Sequence, residues 1–101
     1  GYTDIKNIHS LPKSLLRNYP NPVTNSTLIE FELPCTANTS VGIYDIGGRL
    51  IATLANDILS AGYHNLEWTA VDKNGNRVNP GIYFCIIESE NYRNSIKILV
   101  K

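Results

Sequence analysis

The sequence predicts an all-β domain: an immunoglobulin-like β-sandwich of about six to seven antiparallel strands. Three observations lead there. Short runs alternate apolar with polar residues, the signature of a strand with one buried face. Gly, Pro and Asn punctuate those runs at intervals of about ten residues, the usual rhythm of a sandwich. The composition, 43% hydrophobic and 18% charged with six tyrosines, suits a folded β-rich module rather than a disordered linker. At 101 residues the chain makes one domain able to bury a real core.

Residues 1–13, "GYTDIKNIHSLPK", hold no period for any distance, and a linker or loose arm is expected over residues 1–17, with the domain at 18–101. "NYPNP" follows, where Pro20 and Pro22 fix φ and push Tyr19 and Asn21 toward extended geometry, so the backbone is expected to run in almost straight. "TLIEFEL", residues 27–33, is the first clear strand: Ile29, Phe31 and Leu33 alternate with Glu30 and Glu32, and Pro34 stops it. "TANTS" is read as a turn. In "VGIYDI" Val41 and Ile43 take one phase and Gly42 and Tyr44 the other, and Gly47-Gly48 closes a hairpin onto "RLIATL", residues 49–54.

After a polar interval, "SAGYHNLEW" places Leu66 and Trp68 in one phase, a strand with a large aromatic anchor. "DKNGNR" is a turn and Pro80-Gly81 a corner. "IYFCII", residues 82–87, is apolar on both phases, so it is expected at the centre of its sheet with both faces covered. "SIKILVK" ends the chain with Ile96, Ile98 and Val100 inward and Lys97 and Lys101 outward, lysines that discourage edge pairing.

Composition removes several function classes. Nine basic residues balance nine acidic ones without segregation, so no nucleic-acid face or membrane-attracting patch is expected. No apolar run approaches the ~20 residues that span a bilayer, and the lack of any methionine suggests a piece of a longer translation product. Cys35 and Cys85 lie far apart with no CxxC, and with only His9 and His64 besides, zinc is not expected. A disulfide between them and a small buried thiol at Cys85 both remain open.

Catalytic chemistry finds little to use. The GxSxG elbow is missing, and His64 shares its phase with Leu66 and Trp68, which reads as a rim or core histidine rather than a base. Asp72, Asn74 and Asn76 imitate a calcium loop, but the twelfth position is Tyr83 where a bidentate Glu is needed, so a plain hairpin turn is favoured. Asn25 and Asn38 sit in N-glycosylation triplets of the kind that arise by chance in Asn-rich loops. Tyr44, Tyr63 and Tyr92 could stack on sugars, though covering strand edges and corners is the preferred reading.

Four blocks in order, "NYPNPVTNSTLIEFELP", "VGIYDIGGRLIATL", "SAGYHNLEW" with "DKNGNRVNPGIYFCII", and "IKILVK", resemble the type A C-terminal sorting domain of the type IX (Por) secretion system over residues 14–101. Tyr19, Pro20, Asn21 and Pro22 match its opening motif. Tyr44, Asp45, Gly48 and Arg49 match its middle hairpin, and Ala61, Gly62, His64, Trp68, Gly81, Tyr83 and Phe84 its later segment, with Lys101 its final lysine. Val23, Gly47, Cys35 and Cys85 depart from the pattern.

The resemblance implies a non-catalytic address label at the end of a secreted protein of a Bacteroidetes-like bacterium, with no cofactor and no small-molecule substrate. It implies transit through the periplasm, an N-terminally attached cargo domain, and as partners the type IX translocon and a surface sortase cutting within residues 1–17. Cargo is then expected outside the cell or on its surface. Tyr19-Pro20-Asn21-Pro22 would be a stiff joint holding cargo and label apart, and Lys97, Leu99 and Lys101 on the final strand are the expected recognition residues. The rival reading is an immunoglobulin-like accessory or carbohydrate-binding module of a secreted glycoside hydrolase or adhesin; a structural assembly module like the flagellar hook-capping protein's immunoglobulin-like domain is another.

Overall fold

A computed structural model of the chain describes residues 15–90 and 92–101, which form seven strands and, among the described residues, no helix. The strands are β1 (Leu16–Tyr19), β2 (Thr27–Leu33), β3 (Ala37–Asp45), β4 (Leu50–Leu59), β5 (Gly62–Trp68), β6 (Gly81–Ser89) and β7 (Tyr92–Val100). Every ladder between them is antiparallel. They build two sheets, β1-β2-β5 and β4-β3-β6-β7, packed face to face as the sandwich the alternation predicts.

Alternation decides the inward set. In β2, Thr27, Ile29, Phe31 and Leu33 are buried, and across the sandwich so are Val41 and Ile43 of β3, Tyr83, Cys85 and Ile87 of β6, and Ile98 and Val100 of β7. Trp68 at the end of β5 is 1% exposed; its ring meets Tyr83 edge-on at 5.7 Å and its indole N–H donates to the Val71 carbonyl at 2.9 Å. Removing such a side chain costs on the order of 3–5 kcal/mol, a large part of a small domain's stability.

Tyr83 adds a device absent from the periodicity. Its hydroxyl donates to the Asn79 carbonyl at 2.6 Å, four residues upstream, tying the loop that leaves β5 to the start of β6. This is the tyrosine corner of immunoglobulin-type sandwiches, in which a cysteine follows two residues later. Cys85 holds that position, but Cys35 lies exposed beyond β2 while Cys85 is fully buried, and both are free thiols. Desolvation pushes the Cys85 thiol up to about 12, so it behaves as a small apolar side chain.

Several expectations change. "TANTS" is not a turn beyond Thr36, because β3 begins at Ala37 and pairs on one side with β4 and on the other with β6. Thr39 tolerates burial there because its hydroxyl donates to the Ala37 carbonyl at 2.9 Å. β4 runs on through the polar interval to Leu59: as an edge strand it needs one partner only, and Asn56 and Asp57 face water. Two bulges against β3, at Val41/Gly42 and Ile43/Tyr44, set its phase apart from simple alternation.

The straight run expected at Tyr19–Pro22 is not found. The Tyr19-Pro20 and Asn21-Pro22 peptide bonds are both cis, and the segment turns a corner. Topology requires one: β1 pairs with β2 in the three-stranded sheet, whereas Val23 bridges Val100 in the other. Strand β1 also begins two residues before the expected boundary at 18, with Leu16 opposite Phe31 and Arg17 opposite Glu30. Most of the expected linker, residues 1–14, lies outside the described residues.

Strand β6 is central, as expected, yet its two faces differ. Tyr83, Cys85 and Ile87 are buried, while Phe84 and Ile86 are half-buried and Ile82 is exposed. Among the described residues nothing covers that outer face.

Candidate functional site

The outer face of the four-stranded sheet can be read in rows, because residues opposite one another on neighbouring strands point the same way. One row runs Leu50, Tyr44, Phe84, Lys97, and the next runs Thr53, Gly42, Ile86, Ser95. Beyond them come Asn56, Ser40, Glu88 and Arg93. On the other side Ile82 faces Leu99. The face is therefore apolar at one end and polar at the other, where antiparallel sheets usually show a polar outer surface throughout.

The apolar end is shaped by backbone as well as side chains. A β-carbon placed on Gly42 would stand 3.0 Å from Leu50 Cδ1 and 3.1 Å from Tyr44 Cε1, so the bare glycine lets both side chains lie down over it. The β3–β4 hairpin then lifts Ile46 clear of the sheet, 76% exposed. Asp45 builds that hairpin: its Oδ1 accepts from the Gly47 and Arg49 amides at 2.9 Å each, and Arg49 Nε reaches its Oδ2 at 3.0 Å. Between Ile46 and β6 runs a shallow cleft of about 390 Å³, lined by Tyr44, Phe84 and Ile86 and closed by the Glu88–Arg93 pair.

The expected recognition residues divide. Lys97 and Leu99 belong to this face, in register with Phe84 and Ile82, and both are exposed. Lys101 is exposed just past β7, its amide donating to the Val23 carbonyl at 2.9 Å. Tyr44, Ile46, Leu50, Phe84 and Ile86 were not singled out as recognition residues; their signal was the double-phase run "IYFCII" and the Ile after Asp45.

The Tyr-Pro-Asn-Pro segment sits on the edge of β7. Asn21 Oδ1 accepts from the Leu99 amide at 3.1 Å, and the Val23 amide donates to the Leu99 carbonyl at 2.8 Å. Val23 itself is fully buried, and Thr27 donates its hydroxyl to the Pro20 carbonyl at 3.0 Å from below. Pro20 and Pro22 bring no N–H of their own to a crowded edge. Of the matched glycines, Gly48, Gly62 and Gly81 take φ of +87°, +112° and +150°, conformations that L side chains rarely adopt, so each serves the turn it stands in.

Other chemistry dissolves into structure. His64 stacks on Phe31, centroids 5.3 Å apart, and bonds the Ser60 carbonyl at 2.7 Å. Asp72 Oδ1 is occupied by the Asn74 and Asn76 amides at 2.9 Å each, a closed hairpin rather than an ion cradle. Among the described residues no group of three or more His, Cys, Asp or Glu could hold a metal ion. Tyr44, Tyr63 and Tyr92 share no surface: Tyr44 lies on the outer face described above, Tyr63 donates to Glu30 Oε2 at 2.5 Å on the other sheet, and Tyr92 packs against the core. A sugar platform of these three rings has no geometric basis.

Residues 17–101 match the family described as secretion system C-terminal sorting domain. No curated protein sequence matches the chain. Among solved structures it is similar to PorZ, an essential bacterial surface component of the type-IX secretion system of human oral-microbiomic Porphyromonas gingivalis, at 25% identity and a TM-score of 0.61, over 85% of this chain and 11% of that one. It is also similar to dimeric latent PorU from Porphyromonas gingivalis, at 21% identity and a TM-score of 0.62, over 90% of this chain and 10% of that one. The chain thus spans about a tenth of the length of these two proteins.

Proposed function

The chain belongs to the secretion system C-terminal sorting domain family, and from that premise we propose that it is the non-catalytic label by which a type IX translocon exports an N-terminally attached cargo protein. One observation carries the reading: the family match, residues 17–101, covers the sandwich from the second residue of β1 through β7. The signal is then a folded domain rather than a linear tag. The geometry supports a binding role, since the titratable side chains it brings together are spent on hairpins, ladders and ring packing.

In this reading the domain crosses the periplasm with its cargo and is read through the final strand, with Lys97, Leu99 and Lys101 as the recognition residues. A surface sortase then cuts ahead of β1, within residues 1–15, since a bond inside the paired strand cannot be threaded into a protease without opening the sheet.

The test is a fusion of the chain to the C-terminus of a periplasmic reporter in a bacterium that has the type IX machinery. The reporter is expected in the medium or on the cell surface, and in the periplasm when the translocon is deleted. A reporter that stays in the periplasm of the intact strain, although the fused domain is folded, refutes the assignment.

A further inference from the structure

Among the described residues the apolar end of the outer sheet face has no partner inside the fold. Tyr44, Ile46, Leu50, Phe84, Ile86 and Leu99 present rings and aliphatic chains on one side of the sheet, although each strand had the polar alternative that antiparallel sheets normally take. The core does not need them: the inward faces already close over Trp68, Phe31 and Ile43.

We propose that this half-face is the surface through which the label is read, and that it docks a protein partner offering apolar side chains flanked by carboxylates. The inference rests on the sorting reading above and specifies what that reading leaves open. Charge supplies the argument for the partner's chemistry. The two acids that line the cleft beside the apolar row are already paired, Asp45 with Arg49 at 3.0 Å and Glu88 with Arg93 at 3.5 Å. Among the described residues Lys97 and Lys101 form no ion pair, and Lys97 stands in register with Phe84 at the margin of the apolar row. An occupant that covers the row meets that uncompensated cation and is held best if it brings an acid.

The same accounting decides between occupants. A second copy meeting this face with the same face would set Lys97 and Lys101 against their own counterparts, while Asp45 and Glu88 there are already paired. An anionic lipid surface is recognised by clusters of about four to eight basic residues, and this face offers two unpaired lysines. A protein segment fits better: the 390 Å³ cleft beside Ile46 is lined by two rings, Tyr44 and Phe84, and by the exposed Glu88–Arg93 pair, the mixed lining that seats one side chain of a partner.

The experiment uses the whole chain fused to the reporter, with Ile46→Asp, Lys97→Glu and Lys97→Arg compared with Ile58→Asp. Ile46 and Ile58 are 76% and 68% exposed, so neither change touches the core; Ile58 sits opposite Asn38 at the polar end of the same face. Release into the medium is expected to fall about tenfold or more for Ile46→Asp and Lys97→Glu. It should stay near the unsubstituted level for Lys97→Arg and Ile58→Asp, with all four purified proteins melting together. Undiminished release by both Ile46→Asp and Lys97→Glu overturns the proposal while the sorting reading stands. Failure of the unsubstituted fusion to leave the cell overturns both. A concentration-dependent dimer abolished by Ile46→Asp would hand the face to a second copy and overturn the proposal, as would flotation with phosphatidylglycerol vesicles abolished by Lys97→Glu, which would hand it to lipid.

Discussion

Asp45 and Asp72 solve one problem twice. Each opens a hairpin, accepts on Oδ1 from the amides two and four residues on, and is followed at the third position by a glycine with φ near +85°, Gly48 at +87° and Gly75 at +84°. The side chain takes over amides that the tight turn leaves without ladder partners, which is why an apparent ion loop is a turn. Glu30 plays a comparable part in the three-stranded sheet, joining three strands through its neighbours Tyr63 on β5 and Arg17 on β1, the latter at 2.7 Å. The Tyr63 hydroxyl first, and Arg17 second, hold the Glu30 carboxyl below its ordinary 4.5. A folded-state value below the unfolded one means that the unfolded chain binds more protons in between, so the contribution is present above pH 4.5 and fades as pH falls through the folded value. Asp45, held low first by the Arg49 amide, acts in the same direction below 3.8. Urea midpoints measured from pH 6 down to pH 3 should therefore decline, and Glu30→Gln should flatten the upper part of that decline. An unchanged pH profile in Glu30→Gln would show that the triad contributes nothing.

At the scale of the strand, the free edges are blunted by side chains. On β7 Asn94 Oδ1 accepts from Ser95 N–H at 2.9 Å and Asn21 Oδ1 from Leu99 N–H; on β4 Asp57 takes Ile58 N–H at 2.7 Å. Each such bond removes a donor that a stray strand could use, which disfavours edge-to-edge pairing and suits the proposed reading through a face rather than an added strand. The Asn21–Val23 clasp on β7 is testable by itself. Asn21→Ala should cost about 1 kcal/mol and speed exchange of the Leu99 amide; Val23→Ala, at a fully buried site, should cost about 2 kcal/mol. Unaltered Leu99 exchange in Asn21→Ala would mean that the clasp is not formed. Much of this architecture was legible beforehand: β2, β5 and β7 alternate without interruption, and their inward sets came out as read. What was not legible depends on neighbours. The proline motif declares its dihedral limits and lost donors, but not that Asn21 lands 78 residues away in sequence on Leu99. Bulges hide the inward phase of β4, and its polar second half is a strand only because β3 pairs with it. The run over β6 announced its apolarity correctly, and the inference of cover failed because a sequence shows what a side chain is and not what lies over it.

For the molecule as a whole, the final strand carries the proposed recognition residues and part of the core, and that overlap determines which experiments can locate the signal. Removing residues 96–101 follows naturally from placing recognition on Lys97, Leu99 and Lys101. Yet the same six residues include Ile98, fully buried, Val100 at 2% and the half-buried Ile96, together with the edge on which Val23 and Asn21 are clasped. Burial of an Ile or Val side chain is worth about 1.5–3 kcal/mol, so the truncation forfeits on the order of 5 kcal/mol before any ladder bond is counted, comparable with the entire stability of a small domain. Its expected outcome is loss of the cooperative melt and of the near-ultraviolet signal from Trp68, and cargo retained in the periplasm for a reason unrelated to recognition. Substituting outward residues separates the two roles, because Lys97 and Leu99 alternate with the buried side chains and can change without opening the core. Leu99→Ser should leave the melting temperature within a few degrees of the parent, since that side chain is 44% exposed already. A truncated chain that still melts cooperatively would show that β7 is dispensable to the sandwich, and recognition could then be mapped by deletion after all.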